Sequence, residues 1–337
     1  MTINVITKIN LFYNMLRIRM IEEAIAENYS KQKMRTPIHL SIGQEAAAAA
    51  SGAVLRSTDY AVSSHRAHAH YFAKGGNLNA MIAELHGKVT GCCRGRGGSM
   101  HLIDQSVGFM GSTAIVGNTI PIGVGLGLSL QLDKDNDRMC CIYLGDGAIE
   151  EGVFYESLNF SVLKKLPILF VCENNLYSVY TPLHKRQPVG RKIHEFVKSI
   201  GANTDFVEDG YDVLSCFTAL NAMSEKVRQG NGPGFVEIYT YRYREHCGPN
   251  YDNNIGYRSM AEYESWLKKD SIDSFRKILR VEDILTNQQL QKMYDDIQKE
   301  IVIAFDYAEQ SPFPDQQEAL TGEYQRTVLE DINACVN

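Results

Sequence analysis

Nowhere in the 337 residues does an apolar run approach the roughly 18 to 20 residues that cross a bilayer, so no membrane span is expected. A signal-peptide pattern is missing too: Lys8, Arg17 and Arg19 alternate with polar and acidic residues, and no apolar stretch follows them. The chain has no basic excess. Its formal net charge of −6 gives no general attraction to nucleic acid or an anionic membrane surface. Eight cysteines include the adjacent pairs Cys92-Cys93 and Cys140-Cys141 but no C-x-x-C. That set is neither a disulfide framework nor a zinc pattern, and reduced thiols in a cytoplasm fit it best. They are expected to pack as small core or loop residues. No internal repeat, low-complexity tract or linker interrupts the chain. Residues 1–337 therefore read as a single domain with a long N-terminal helix and a C-terminal helical tail.

What is present is ordinary in bulk and specific in detail. With 44% hydrophobic and 22% charged residues, the chain can bury a substantial core. Ile9, Phe12, Met15, Leu16, Ile18, Met20, Ile21 and Ile25 recur at helical spacing among charges, which predicts one amphipathic helix over 6–33. A second helix is expected over 43–55, its run of alanines suited to close helix packing. Residues 88–112 hold GCCRGRGGSMH with little periodicity and read as a glycine-rich loop. In IVGNTIPIGVGLGLSLQL (115–132), Pro121 suits a first helical turn. Gly123, Gly125 and Gly127 weaken an isolated helix, so this one is expected to press against another backbone, within the subunit or across an interface. Apolar runs at 139–144, 167–172 and 235–240 alternate with helical stretches at 152–164 and 213–228. That alternation predicts an α/β fold, a parallel sheet with helices on both faces. A polar-faced helix is expected over 282–308.

The strongest chemical signal is GDGAIEEG (145–152) followed by ENN (173–175), with 26 residues between Gly147 and Asn174. Gly-Asp-Gly alone is a common way to cap a helix, and Asn-Asn is common in turns. Here each half follows a buried strand, MCCIYLG or PILFVCE, and about 30 residues make one βαβ unit. The two strand ends can lie side by side, where such sheets bind ligands. Asp146 offers a carboxylate and Asn175 an amide oxygen, both suited to magnesium, whose octahedron water and phosphate oxygens would complete. Gly147 and Ala148 are expected to open a helix whose backbone N–H groups approach a phosphate.

At this point the sequence resembles the thiamine diphosphate enzymes, whose signature is GDG, about 26 residues, then NN. More narrowly it resembles the alpha subunits of pyruvate, branched-chain 2-oxo acid and acetoin dehydrogenases. Further ordered motifs carry the resemblance from about residue 11 to 258: HLSIGQEA at His39, SHRAH at Ser64, RGRGGSMH at Arg94, IVGNTIP at Ile115 and YRYREH at Tyr241. The resemblance implies the thiamine diphosphate-binding fold. It implies Mg2+ held by Asp146, Asn175 and the backbone oxygen of Tyr177, with Arg66 and His246 on the diphosphate. His65 stands where the family often has tyrosine and keeps one hydrogen bond to offer. Main chain from Ala114 to Val116 would meet the aminopyrimidine ring. His39 and His68 match active-site histidines, and His101 follows on weaker grounds. His86, His184 and His194 read as core or surface residues, and His70 has no motif behind it.

The activity implied is decarboxylation of a 2-oxo acid, or cleavage of acetoin, with the acyl group passed to lipoamide and the cofactor carrying the difficult chemistry. In two-chain relatives the activating glutamate comes from a beta subunit. The expected assembly is accordingly a heterotetramer of two alpha and two beta chains, served by a lipoyl acyltransferase. One departure concerns CGPNYDNNIGYR after His246, where the family's serine-containing stretch is replaced; kinase control at such a serine is not expected. A carboligase or transferase of a specialised pathway is an alternative using the same cofactor. A nicotinamide enzyme would need G-x-G-x-x-G between a strand and a helix, which neither RGRGGSMH nor GVGLGL supplies, and no P-loop motif occurs. A degenerate, non-catalytic subunit is disfavoured by retention of Asp146, Asn175, Arg66, His39, His68 and His246.

Overall fold

The computed structural model describes residues 3–133 and 137–320. The single-domain expectation for 1–337 therefore reaches past the described residues. Among the described residues, eight strands follow one another: β1 (Tyr60–Ser63), β2 (Phe109–Ser112), β3 (Cys140–Gly145), β4 (Ile168–Asn174), β5 (Tyr177–Ser178), β6 (Thr181–Pro182), β7 (Asn203–Val207) and β8 (Gly234–Tyr239). β5 and β6 form a short antiparallel hairpin. The other six make a parallel sheet in the order β2-β1-β3-β4-β8-β7.

The helices are α1 (Val5–Tyr29), α2 (Glu45–Val54), α3 (His68–Ala73), α4 (Leu78–Leu85), α5 (Thr119–Leu132), α6 (Gly152–Lys164), α7 (Leu183–Arg186), α8 (Ile193–Ile200), α9 (Val213–Arg228), α10 (Met260–Leu267), α11 (Ser271–Val281) and α12 (Asn287–Gln310). No helix among the described residues is long and apolar enough to cross a membrane.

Alternation along the strands produces two cores. Cys141 and Tyr143 of β3, Leu169 and Val171 of β4, and Val236 and Ile238 of β8 point to one face, which packs with α1, α2 and α9. Cys140, Ile142 and Leu144, Ile168, Phe170 and Cys172, and Phe235 point to the other, toward α5, α6 and α8. Because both faces are covered, these strands read as continuous apolar runs. Each fully buried Leu, Ile, Val or Phe contributes roughly 1.5–3 kcal/mol, so the central strands anchor the domain. Among the described residues the cysteines are free thiols, and Cys140, Cys141, Cys172 and Cys216 are buried in these cores.

The small residues act as expected at α2, where a Cβ on Gly52 would meet the Ala73 carbonyl at 2.4 Å. In α5 the outcome differs. A Cβ on Gly123 would lie 2.5 Å from Ile142 and one on Gly127 2.6 Å from Ile168, both side chains of the sheet, while Gly125 faces open space. Within the subunit, Gly123 and Gly127 thus admit branched strand side chains and not a second backbone. The expected helix over 282–308 is also corrected. Residues 282–285 turn, with Asp283 at φ +54°, and α12 starts behind a Thr286–Gln289 capping box.

The glycine-rich stretch is neither wholly irregular nor an outward anion nest. It includes β2, and its N–H groups turn inward onto a carboxylate of the same chain. Glu84, fully buried on α4, accepts from the backbone of Cys93 (2.8 Å), Gly95 (2.8 Å), Gly97 (2.7 Å) and Gly98 (3.0 Å). Wrapping the chain so tightly places Arg94, Gly95 and Gly98 at positive φ. Glu84→Ala strands these donors in the interior. It is expected to destabilise the protein by at least about 3 kcal/mol, since each lost charge-assisted bond costs about 1.5–3 kcal/mol. Chemical denaturation checks this; a loss near zero would show that the loop has other partners.

Candidate active site

Strands β2 and β3 flank β1, so the chain leaves β1 in one direction and returns on its other side. Such a switch point opens a crevice at the carboxyl ends of the strands. The site residues sit there: Ser64, His65 and Arg66 just after β1, Asp146 just after β3, Asn175 just after β4, and His246 on the segment leaving β8. Together with Val116, Gly147, Ala148 and Tyr177 they line one cleft.

The cation side depends on the β3–β4 register, which pairs Gly145 with Glu173 and brings the next residues of both strands level. Asp146 is 2% exposed, and its carboxylate meets the Arg186 guanidinium. Burial raises its proton affinity, and Arg186 partly offsets this. Asn174 turns away from the cleft: its amide donates to Glu237 at 2.8 Å and its oxygen accepts from Leu176 N–H.

Asn175 is oriented by a relay. Its amide nitrogen donates to Gln44 at 3.0 Å, and the Gln44 amide donates to Glu173 at 2.8 Å. With its nitrogen committed, the Asn175 oxygen is the free end. It accepts from Tyr177 N–H at 3.2 Å and keeps a second lone pair. Leu176 (φ +69°) and Val179 (φ +54°) bracket Tyr177 in the left-handed region, a strained geometry typical of functional turns. A buried carboxylate and an aimed amide oxygen are the hard donors a magnesium-type ion takes. One expectation is corrected. Gly147 and Ala148 belong to a 3₁₀ turn, Asp146–Glu150, and the α-helix starts only at Gly152, because Glu151 is extended. Gly147 still permits close approach, since a Cβ there would lie 2.9 Å from the Ser178 hydroxyl.

Opposite lies a positive wall. Arg66 is buried and donates to the carbonyls of Leu40 (2.5 Å) and His246 (3.1 Å), tying together the loops that carry His39 and His246. Burial and the nearby Arg242 lower it to about 9. Rings of His39, His65 and His246 cluster with centroids 4.7, 5.1 and 5.3 Å apart. Burial, then the Arg66 charge, pushes His39 and His246 down to about 2 and His65 to about 4. These are neutral imidazoles, each with one N–H to give and one lone pair to accept.

Other expected residues lie elsewhere. His68 is wholly enclosed, with Nε2 2.8 Å from the Ser99 hydroxyl and Nδ1 3.0 Å from Glu22, and it has no face on the cleft. His101 accepts from the Ala114 N–H at 3.4 Å, on the rim of the 114–116 segment. His86 bonds the Ile82 carbonyl, His194 stacks on Phe206, and His184 is exposed, as expected of core and surface residues. Among the cleft residues that were missed, Gln44, Glu173 and His70 matter most, because they hold others in place. The His70 ring stacks on Tyr143 at 3.8 Å and bridges Ser63 (2.8 Å) to Glu173 (3.0 Å). Gln44 stood inside HLSIGQEA and Glu173 beside Asn-Asn, so position was the available signal; His70 had none.

The neutral imidazoles make stability pH-dependent. In the unfolded chain they take up protons near pH 6.5, whereas folded His65 does so only near 4. Their contribution is complete above pH 6.5 and is lost as pH falls toward the folded values. Replacing His65 by Phe is expected to flatten the stability profile between pH 6.5 and 4 by about 1.4 kcal/mol per pH unit. Denaturation midpoints at stepped pH measure this, and an unchanged slope would mean His65 is protonated in the fold.

Comparison with known proteins accords with this geometry. The family model described as dehydrogenase E1 component matches residues 13–317. The pyruvate dehydrogenase E1 component subunit alpha of Rickettsia bellii (strain RML369-C) is 34% identical over 316 residues, covering 94% of this chain and 95% of that protein. Its counterpart in Porphyra purpurea is 34% identical over 314 residues, covering 91% and 90%. The mitochondrial alpha-1 subunit of Oryza sativa subsp. japonica is 34% identical over 319 residues, covering 94% and 79%. A parallel sheet with its polar cleft at the β1/β3 switch point, and similarity along nearly the whole chain, place this protein in the dehydrogenase E1 component family as an alpha subunit.

Proposed function

We infer that the thiamine diphosphate of this 2-oxo acid dehydrogenase alpha subunit sits in the switch-point cleft, anchored through a magnesium ion on Asp146, Asn175 and the Tyr177 carbonyl oxygen. The supporting observation is the Glu173–Gln44–Asn175 relay, which turns an amide oxygen into the cleft beside a buried carboxylate. When bound, the cofactor supplies a nucleophilic carbon and an electron sink for loss of carbon dioxide from a 2-oxo acid. The chain's own residues bind and orient. Arg66 and His246 donate to diphosphate oxygens, and Gly147 lets its backbone come close to them. Ala148 lines the same wall, and Val116, with the 114–116 main chain, gives the aminopyrimidine ring an apolar and hydrogen-bonding edge. His39 and His65, held neutral, hydrogen-bond the substrate carboxylate. His68 acts from behind, holding α3 against Glu22 of α1. The named relatives favour a pyruvate-type short-chain 2-oxo acid.

This chain works with a beta subunit, and we place the activating glutamate there. Both carboxylates among the described cleft residues are committed, Asp146 to Arg186 and Glu173 to His70 and Gln44. Ile122 and Leu132 of α5 and Phe160 and Leu163 of the adjoining α6 expose an apolar surface that suits subunit contact in an assembly of two alpha and two beta chains. A lipoyl acyltransferase would then receive the acyl group.

Two outcomes test this. The purified chain given cofactor and magnesium should show almost no turnover with an artificial electron acceptor, and adding the beta subunit should restore it; brisk decarboxylation by the single chain would overturn the half-site reading. In the assembled complex, thiamine diphosphate with Mg2+ at a hundred times its dissociation constant should stabilise the native state by about 2.7 kcal/mol. Asp146→Asn should abolish that shift, and its persistence would move the cation elsewhere.

A further inference from the structure

Arg186 belongs to none of the motifs that define the site, yet its guanidinium holds the carboxylate at the centre of it. It closes the short helix α7 just beyond the β5–β6 hairpin. Its side chain is only 9% exposed and meets three acceptors: Nη2 the Asp146 carboxylate, Nη1 Glu150 at 2.5 Å and Nε the Thr181 carbonyl at 3.1 Å. Gln187 donates to the same Glu150 oxygen at 3.3 Å. The group lies over the Gly147 turn, where a Cβ would stand 3.9 Å from Nη1. A dication placed on Asp146 would put a second positive charge against Nη2 on one buried carboxylate, an arrangement that favours exchange over sharing. Two of the three holds on Arg186 do not involve Asp146. The guanidinium can therefore give up that carboxylate while staying at the cleft wall, beside the turn that faces the diphosphate.

We propose that Arg186 is a built-in counter-cation that a magnesium-type ion must displace from Asp146, and that the displaced fork, still tethered by Thr181 and Glu150, becomes a donor to the diphosphate. This rests on the reading of Asp146 as the cation ligand. Its consequence is thermodynamic coupling. The cation alone binds against Arg186, whereas cation and diphosphate together give the guanidinium a new anionic partner, so each tightens the other beyond their direct attraction.

The test uses Mn2+ as an electron-spin probe on the complex assembled with its beta subunit. Arg186→Met keeps the aliphatic stem and removes the charge. It is expected to bind Mn2+ alone about tenfold tighter than wild type, and the tightening of Mn2+ by thiamine diphosphate should shrink by about the same factor. Should the Met variant fail to assemble, Arg186→Gln carries the same expectation. Equal Mn2+ affinity in wild type and variant, with Asp146→Asn still abolishing binding, would overturn the displacement and leave the cation site standing. Mn2+ binding that survives Asp146→Asn would instead overturn the cation site itself.

Discussion

The register between β3 and β4 is the constraint on which the site rests. Gly145 lies opposite Glu173, so Asp146 comes level with Asn174 and Asn175 follows one residue beyond it. A slip of one residue would turn every side chain of the strand to the other face. Tyr143 would leave its stack on His70, and Asn174 would take the place of Asn175. The slip is resisted because β3 and β4 are buried on both faces, each alternate set packing into a different core. The same apolar packing that stabilises the sheet therefore fixes the spacing of the polar groups at its edge.

Several carboxylates buried around that edge are paired in chains. Glu173 accepts from His70 and Gln44, and Gln44 fixes the Asn175 amide. Glu237 accepts from Asn174 and from His194 at 2.7 Å, which keeps the first of the two asparagines out of the cleft. Glu22 of α1 lies against His68 and accepts from Ser41 N–H at 3.2 Å, and Glu84 gathers the glycine-rich loop. Such interiors are rigid when each member is satisfied and costly when one is removed. The motifs HLSIGQEA, SHRAH and RGRGGSMH, dispersed in sequence, are thus parts of one interior network behind the cleft.

This explains what could be read before the fold was known. The long apolar strands, the helices α6 and α9, and the paired strand ends carrying Asp146 and Asn175 follow from periodicity and spacing. The strands β1 and β2, four residues each, do not: β1 is too short to show a period, and β2 hides in a glycine-rich stretch. β7 is an edge strand, largely uncovered, so its NTDFV lacks an apolar signature. His70, Gln44 and Arg186 escaped notice for a different reason. Their importance lies in which side chain they touch, and the partners Glu173, Asn175, Asp146 and Glu150 come from segments 36 to 131 residues away. A family resemblance locates residues that contact a ligand, but it does not show which of this chain's own residues hold those in place.

The cleft is finally legible as a dipole. At one end, Asp146 and the Asn175 oxygen present negative character; at the other, Arg66 presents a buried positive charge with three imidazoles around it. The histidine nitrogens lie within 4.8 Å of one another, the outline of a three-imidazole metal centre. The charge beside them decides otherwise. Burial, with the Arg66 charge added to it, keeps His39, His65 and His246 from accepting a proton, and that charge opposes a dication at the same place and favours an anion. A ligand that places a cation at Asp146 and phosphate oxygens at Arg66 would match both ends at once, and its anionic part would also receive the Arg186 guanidinium that now compensates Asp146. On the proposed reading, metal and diphosphate would for this reason be recognised as a pair, before any contact with the substrate is made.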